Sequence, residues 1–283
     1  MICFYHKADL DGLCSAAIVK VWDREAGLFP MDYGDPVPWD AVPSGSSVMV
    51  VDFSFPMGDM ERLDGERSLV WIDHHKTAIA EAEERGFNPA GKREVGMAAC
   101  ELTWEYLFAP KPRPHAVTLL GRYDVWDFDP ADDVLPFQYG VRRLRPQPGD
   151  EVWEFLMLGA SRESYVQDLV RDGRVILDYE AQESARLVRE CGFAARVWGL
   201  RLICLNRLRA NSRAFESVWD PKKFDAMLAF GWSGTKWMFS LYTEKPGVDV
   251  SEVAKANGGG GHTGAAGFQT PDLPNELWKA MRG

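Results

Sequence analysis

Three short apolar runs each end on an acid or an imidazole, and this repeated pattern restricts the fold more than any other feature of the chain. Ile2-Cys3-Phe4-Tyr5 ends at His6, Val48-Met49-Val50-Val51 at Asp52, and Leu69-Val70-Trp71-Ile72 at Asp73-His74-His75. A continuous apolar run bounded by polar residues and followed by a helical pattern predicts a strand buried on both faces of a parallel sheet. In such a sheet the C-terminal strand ends share one edge, where ligands bind. The fold class is therefore α/β. Polar groups distant in sequence, His6, Asp9, Asp11, Asp52, Asp73, His74 and His75, are expected to converge at that edge.

The remaining pattern divides the chain. Helices are expected over residues 13–23, 77–85, 97–108 and 115–123, with the proline-rich run Pro110 to Pro114 between the last two. A second proline-rich stretch, Arg145-Pro146-Gln147-Pro148-Gly149, precedes residues 151–190, which read as helical with Tyr165, Leu169, Ile176, Tyr179 and Leu187 as an inner stripe. A second α/β pattern follows: strands at 197–204, 224–230 and 236–242, a helix at 250–256, the loop Asn257 to His262, and a closing helix at 274–281. The expected organisation is a parallel-sheet domain at 1–150, a helical connector at 151–192 and a smaller α/β domain at 193–283, with the active site in the cleft between domains.

The chemistry at the sheet edge is constrained by which residue types are there. Carboxylates and imidazoles without thiolates suit Mn²⁺, Mg²⁺, Fe²⁺ or Co²⁺ better than structural zinc. Crowded carboxylates repel one another unless cations neutralise them. A lone Asp at a strand end is ordinarily a turn or cap residue, and a lone His ordinarily lies on the surface or in the core. Here four of the five histidines, His6, His74, His75 and His262, fall in polar clusters, and only His115 stands apart.

Charge and cysteine usage narrow the context. Against 42 acids there are 32 lysines and arginines, a net charge of −10 that disfavours long duplex nucleic acid. The five cysteines, Cys3, Cys14, Cys100, Cys191 and Cys204, are scattered without a CxxC pair, as expected of reduced thiols in the cytoplasm. Neither a secretory leader nor an apolar run of the roughly 20 residues that span a bilayer is expected.

Asp73-His74-His75 after an apolar strand, with His6-Lys7-Ala8-Asp9-Leu10-Asp11-Gly12 near the N-terminus, resembles the DHH phosphoesterase superfamily. Gly258-Gly259-Gly260-Gly261-His262-Thr263-Gly264-Ala265-Ala266-Gly267-Phe268 resembles the signature of the C-terminal domain associated with it. Within the superfamily the chain is most similar to the small nanoRNase-like members. The resemblance implies two divalent ions, Mn²⁺ ahead of Mg²⁺ or Co²⁺. It implies His6 and Asp9 at one ion, Asp11 and His74 at the other, Asp52 bridging both, and Asp124 completing the second set ahead of Asp127. Asp73 is then a residue of the catalytic set that orients a neighbouring imidazole, with direct ligation as the alternative, and His75 faces the substrate phosphate. The spacing of His6, Asp9 and Asp11 varies in the superfamily, so the role of this loop transfers better than its geometry.

The glycine loop has two readings, a hinge or a cradle whose backbone N–H groups approach an anion. The second is preferred, with Gly259, Gly260 and Gly261 exposing backbone, His262 contacting a phosphate, and Thr263 to Gly267 forming a turn or helix start. Arg209 and Arg213 are further candidate substrate contacts, with surface solvation as the alternative. One departure from the family stands at Phe239-Ser240-Leu241-Tyr242-Thr243, where many relatives carry Arg after Ser-Leu. Tyr242 either loses that phosphate contact or replaces it by stacking on a base. The eleven tryptophans, Trp126, Trp153, Trp198, Trp219, Trp232 and Trp237 among them, are read mainly as core or interface residues, with one or two left to stack on bases.

The function expected from all this is hydrolysis of short single-stranded oligonucleotides to mononucleotides by a hydroxide activated between two ions. Replacing Asp52 or His74 with Ala is expected to abolish turnover. A cyclic-nucleotide or signalling-dinucleotide phosphodiesterase and a phosphatase of 3′-phosphoadenosine 5′-phosphate are alternatives in the same chemistry. A catalytically dead nucleotide sensor is the alternative of another class. No membrane partner is expected, and an oligomer is possible but not expected.

Overall fold

Strand β1 (Ile2–His6) opens a sheet whose strands run parallel in the order β2-β1-β3-β4-β5, with β2 at Gly27–Met31, β3 at Ser47–Val51, β4 at Ser68–Asp73 and β5 at Ala90–Arg93. The computed structural model describes residues 1–129 and 131–282. Alternate residues of the central strands face opposite sides, and both sides are covered. Phe4, Val50 and Trp71 pack with Met57, Met60 and Leu63 of helix α2 (Met57–Glu66). Cys3, Tyr5, Met49, Val51 and Ile72 pack with Ala16 and Val19 of α1 (Leu10–Trp22) and with Leu102. Burial on both faces explains why these strands read as continuous apolar runs.

Helices α3 (Lys76–Glu84), α4 (Ala99–Phe108) and α5 (His115–Asp124) fall within a few residues of expectation. Helix α1 begins three residues before the expected start, because Asp9 caps it by accepting from the Gly12 N–H at 3.1 Å. Helix α6 (Val134–Leu144) adds Phe137 and Val141 to the core beside α1 and α5.

The stretch expected as a connector is two helices, α7 (Glu151–Leu158) and α8 (Arg162–Cys191). Trp153, Leu156, Met157, Val166, Leu169 and Val170 lie in the same core cluster as α1, α5 and α6. The chain divides into units Met1–Leu177 and Asp178–Gly283, so the boundary falls inside α8 rather than at 150 or 192. Of the expected inner stripe Leu169 is buried, whereas Tyr179 is 65% exposed.

The second unit holds a mixed sheet in the order β10-β11-β9-β8-β7-β6. Its strands are β6 (Phe193–Val197), β7 (Leu200–Asn206), β8 (Ala226–Trp232), β9 (Trp237–Tyr242), β10 (Gly260–His262) and β11 (Ala265–Thr270); only β7 and β8 pair in parallel. The single strand expected at 197–204 is a hairpin that turns at Trp198-Gly199. Helices α9 (Val250–Ala256) and α10 (Asn275–Arg282) cover one face through Val250, Ala254 and Leu277.

The glycine loop meets the turn expected at Thr263 and not the alternative of a helix start. Gly260 to His262 pairs with Ala265 to Gly267 as an antiparallel hairpin, so no helix starts at Thr263. A Cβ at Gly259 would lie 2.1 Å from the Gly267 carbonyl oxygen, and one at Gly261 2.5 Å from the Ala266 Cα. Close approach to β11 therefore accounts for these two glycines. Among the described residues no helix is long and apolar enough to cross a membrane.

Candidate metal centre

The order of the first sheet places a topological switch beside β1, whose neighbours β2 and β3 leave in opposite directions. Ligand sites of doubly wound sheets form at such a point, at the C-terminal strand ends. His6 is the last residue of β1, Asp52 follows β3, and Asp73 ends β4 with His74 and His75 behind it.

Local backbone geometry aims these side chains. Gly12 lets the first turn of α1 press onto the end of β1, since a Cβ there would sit 2.0 Å from the His6 carbonyl oxygen. Asp52 has φ of 62°, a left-handed conformation that costs an L-residue about 1–2 kcal/mol. Its N–H is held by the Ile72 carbonyl at 3.0 Å. Asp11 accepts from the Ala99 N–H at 2.9 Å and the Cys100 N–H at 2.7 Å. It thereby caps α4, whose own N-cap residue Ala98 provides no side-chain bond. Asp124 is the last residue of α5.

These groups meet in two sets joined by one carboxylate. His6 Nδ1 lies 3.2 Å from Asp9 Oδ2 and 3.5 Å from Asp52 Oδ2. His74 Nε2 lies 3.3 Å from Asp52 Oδ1, 3.4 Å from Asp124 Oδ2 and 3.6 Å from Asp11 Oδ2. Ligand atoms of His6, Asp9 and Asp52 lie within 4.8 Å of one another, as do those of Asp11, His74 and Asp124, and those of Asp52, His74 and His75. Asp52, 1% exposed, presents one oxygen to each histidine.

The electrostatics are those of a site short of positive charge. Burial, then repulsion from Asp52, pushes the Asp11 carboxyl up to about 8. Burial, then Asp11, pushes Asp124 up to about 7. The Asp52 and Asp9 carboxylates beside its ring raise His6 to about 10, against the effect of burial. Burial works against His74, yet Asp52, Asp11 and Asp124 still lift it to about 9. The acids and imidazoles thus retain protons that a cation would displace.

The residues fit divalent ions on independent grounds. His6 Nδ1 and Asp52 Oδ2 are buried and make no hydrogen bond. Such an unsatisfied atom costs about 1–3 kcal/mol, a penalty that coordination removes. Oxygen and imidazole donors without sulfur suit Mn²⁺ or Mg²⁺.

Asp73 stands outside both sets. Its Oδ1 accepts from the N–H groups of His74 and His75 and contacts His75 Nδ1, while Trp71 Nε1 donates to Oδ2. His75 is half-buried, with Nδ1 engaged by Asp73 and Nε2 the nitrogen left for other partners. Asp127 is not in the centre; its carboxylate is exposed and pairs with Arg122 at 3.4 Å. His115 pairs with Glu163 at 2.9 Å.

In the second unit His262 is exposed at the end of β10, Arg209 is exposed, and Arg213 lies 3.6 Å from Glu216 with a buried, unpartnered Nη1. Tyr242 is half-buried against the cluster of Ala210 and Phe215, and its hydroxyl donates to the Ala210 carbonyl at 3.5 Å.

Two neighbours of the centre escaped the sequence reading. Asp32 Oδ1 lies 3.7 Å from His6 Nε2, and the Tyr33 ring meets His6 and His75 edge-on, with centroids 5.3 and 5.8 Å away. Both follow β2, which repeats the pattern of an apolar run ending on an acid, but Pro30 interrupts the run and no strand is expected there. Proline is tolerated there because β2 is an edge strand.

No protein-family model matches the chain. A curated but uncharacterized protein of Acanthamoeba polyphaga mimivirus is 24% identical over 233 residues, 78% of this chain and 52% of the relative. The chain thus spans about half the length of that relative. Among solved structures, the DHH domain of a member of the s1p family of ribosomal proteins aligns with TM-score 0.58 and 14% identity, over 99% of this chain and 85% of that one. The pGpG-specific phosphodiesterase PggH from Vibrio cholerae aligns with TM-score 0.54 and 12% identity, over 95% and 92%. RecJ from Thermus thermophilus, in complex with Mn²⁺, aligns with TM-score 0.50 and 16% identity, over 99% and 50%.

Proposed function

We propose that this chain, which has the fold of the DHH-domain proteins, is a metal-dependent phosphodiesterase that hydrolyses short single-stranded oligonucleotides, dinucleotides foremost, to mononucleotides. The observation that carries this reading is the Asp52 carboxylate, with Oδ2 3.5 Å from His6 Nδ1 and Oδ1 3.3 Å from His74 Nε2. His6, Asp9 and Asp52 would hold one divalent ion, and Asp11, His74 and Asp124 with Asp52 a second, Mn²⁺ being the preferred species. When bound, the pair supplies positive charge to a phosphoryl group and makes water acidic enough to attack it.

The chain's own groups orient and donate. Asp73 fixes the His75 ring through Nδ1 at 2.7 Å. Burial alone would lower the His75 pKa, but the bond and charge of Asp73, with the charge of Asp52, raise it overall. The ring therefore holds its proton to higher pH than a free imidazole, which suits it to donate to a phosphoryl oxygen. Gly260, the one residue of the 258–261 run with an ordinary φ and no neighbour against its Cα hydrogen, is open to an anion, and we assign His262, Arg209 and Arg213 to substrate contacts with it.

The net charge of −10 supports a small substrate, because tracking a long backbone requires many cationic contacts. The pGpG-specific phosphodiesterase is a precedent for a dinucleotide substrate on this fold. The test is a rate comparison with Mn²⁺ on dinucleotides, 5-mers, 20-mers, cyclic dinucleotides and 3′-phosphoadenosine 5′-phosphate. Dinucleotides are expected to be cleaved fastest. Preference for the 20-mer would contradict the assignment, and cleavage of none would favour a nucleotide sensor.

A further inference from the structure

Around Asp124 the chain carries an aromatic cluster that the candidate metal centre does not use. Tyr123, Trp126 and Phe128 have ring centroids 5.6–6.0 Å apart and planes inclined by 10–29°. Arg142 lies 5.3 Å over the Tyr123 ring and braces the cluster there. Trp126 is 77% exposed, more than any other large hydrophobic residue described. Its φ is 57°, a conformation that bulky side chains rarely adopt. The turn is held by bonds from the Trp126 N–H to the Tyr123 carbonyl at 3.2 Å and from the Asp127 N–H to the Arg122 carbonyl at 2.9 Å. Strain and an indole left in water both cost stability, and such costs concentrate where a ligand repays them.

We infer that Trp126 is a stacking platform for the nucleobase adjoining the phosphate that occupies the candidate metal centre; this rests on the phosphodiesterase reading. Trp126 is two residues from Asp124, a chain span of at most about 7 Å. Asp124 Oδ2 itself lies 3.4 Å from His74 Nε2. That bound keeps the indole near enough for a nucleotide whose phosphate sits at the centre to reach it with its base. A neutral aromatic face is also the one kind of contact that an acid-rich centre leaves free of charge conflict. Arg122 is committed to Asp132 at 2.9 Å and to Asp127, so the indole is the group free to receive a base. Because every base has a π-face, the platform selects nucleotides over sugar phosphates without reading sequence.

The test compares adenosine 5′-monophosphate with ribose 5-phosphate by calorimetry on Mn²⁺-loaded protein, so it needs no turnover. The native chain is expected to bind the nucleotide more tightly than the sugar phosphate by roughly 5- to 150-fold. Trp126→Leu, which keeps apolar volume without a π-face, is expected to erase that difference, and Trp126→Phe to keep most of it. Equal affinity for both ligands in the native chain would overturn the inference, as would a full difference in Trp126→Leu. Hydrolysis is scored separately. A native chain that cleaves nothing but shows the affinity difference refutes the enzyme and leaves the platform standing.

Discussion

Asp73 Oδ1 lies 2.7 Å from His75 Nδ1, and the same oxygen accepts the backbone N–H groups of His74 at 2.7 Å and His75 at 3.1 Å. One buried carboxylate oxygen thus sets the direction of the turn that carries both histidines. Trp71 Nε1 steadies it, donating to Asp73 Oδ2 at 3.2 Å and to the Phe53 carbonyl at 3.0 Å. The acid of this tripeptide is an organiser, and the imidazoles are what it organises.

Asp73→Asn preserves shape and removes charge. Burial lowers the His75 pKa and Asp73 counteracts that, so the variant's His75 loses its proton at lower pH. Turnover is expected to fall about 10- to 100-fold. The alkaline limb of the kcat profile is expected to move to lower pH. A reduced rate with an unmoved limb would make Asp73 purely structural.

Stripping the metal is expected to leave a protein that weakens as pH rises. Asp11 and Asp124 have folded pKa values raised to about 8 and about 7, and those of His6 and His74 are raised to about 10 and about 9. Each raised group contributes stability below its unfolded pKa and loses it as pH climbs through the folded value. The loss therefore runs from about pH 4 to pH 8 for the acids and from about pH 6.5 to pH 10 for the imidazoles. Cations replace these protons, so the gain in Tm on adding Mn²⁺ is expected to be larger at pH 8.5 than at pH 6. Scanning calorimetry of chelated and reloaded protein at both values checks this.

Gly12→Ala is expected to cost about 2–4 kcal/mol and to weaken metal binding as well. Its Cβ would lie 2.0 Å from the His6 carbonyl oxygen and 2.9 Å from the His6 Cβ, so α1 must withdraw from β1 and take Asp9 and Asp11 with it. Denaturant unfolding measures the first effect and Mn²⁺ titration the second. Native stability in the variant would show that the contact relaxes freely.

The parts legible in the sequence were those where one physical signal dominates. Strands β1, β3 and β4 are buried on both faces, which leaves uninterrupted apolar letters, and the polar residue that ends each run marks the sheet edge. The edge strands were not legible. β2 contains Pro30, and β5 is the unremarkable Ala90-Gly91-Lys92-Arg93. Asp32 and Tyr33 were lost with β2. The small residues of 260–267 signalled close approach, but not whether the neighbour was an anion or a strand. In the structure β11 supplies that neighbour for Gly259 and Gly261. The 151–192 segment misled because helical periodicity says nothing about which core a helix joins. Trp153 and Leu169 turned out to belong to the first.

The central claim is a pair of ion sites sharing Asp52, and metal stoichiometry tests it most directly. Because Asp52 holds φ of 62°, Asn is the replacement of choice, tolerating that backbone while losing the charge. Equilibrium dialysis of chelator-stripped protein against Mn²⁺ is expected to find two ions per native chain, one in Asp124→Ala, and neither held tightly in Asp52→Asn with circular dichroism unchanged. A native chain that retains no ion, or an Asp52→Asn chain that binds as many as the native one, would contradict the account.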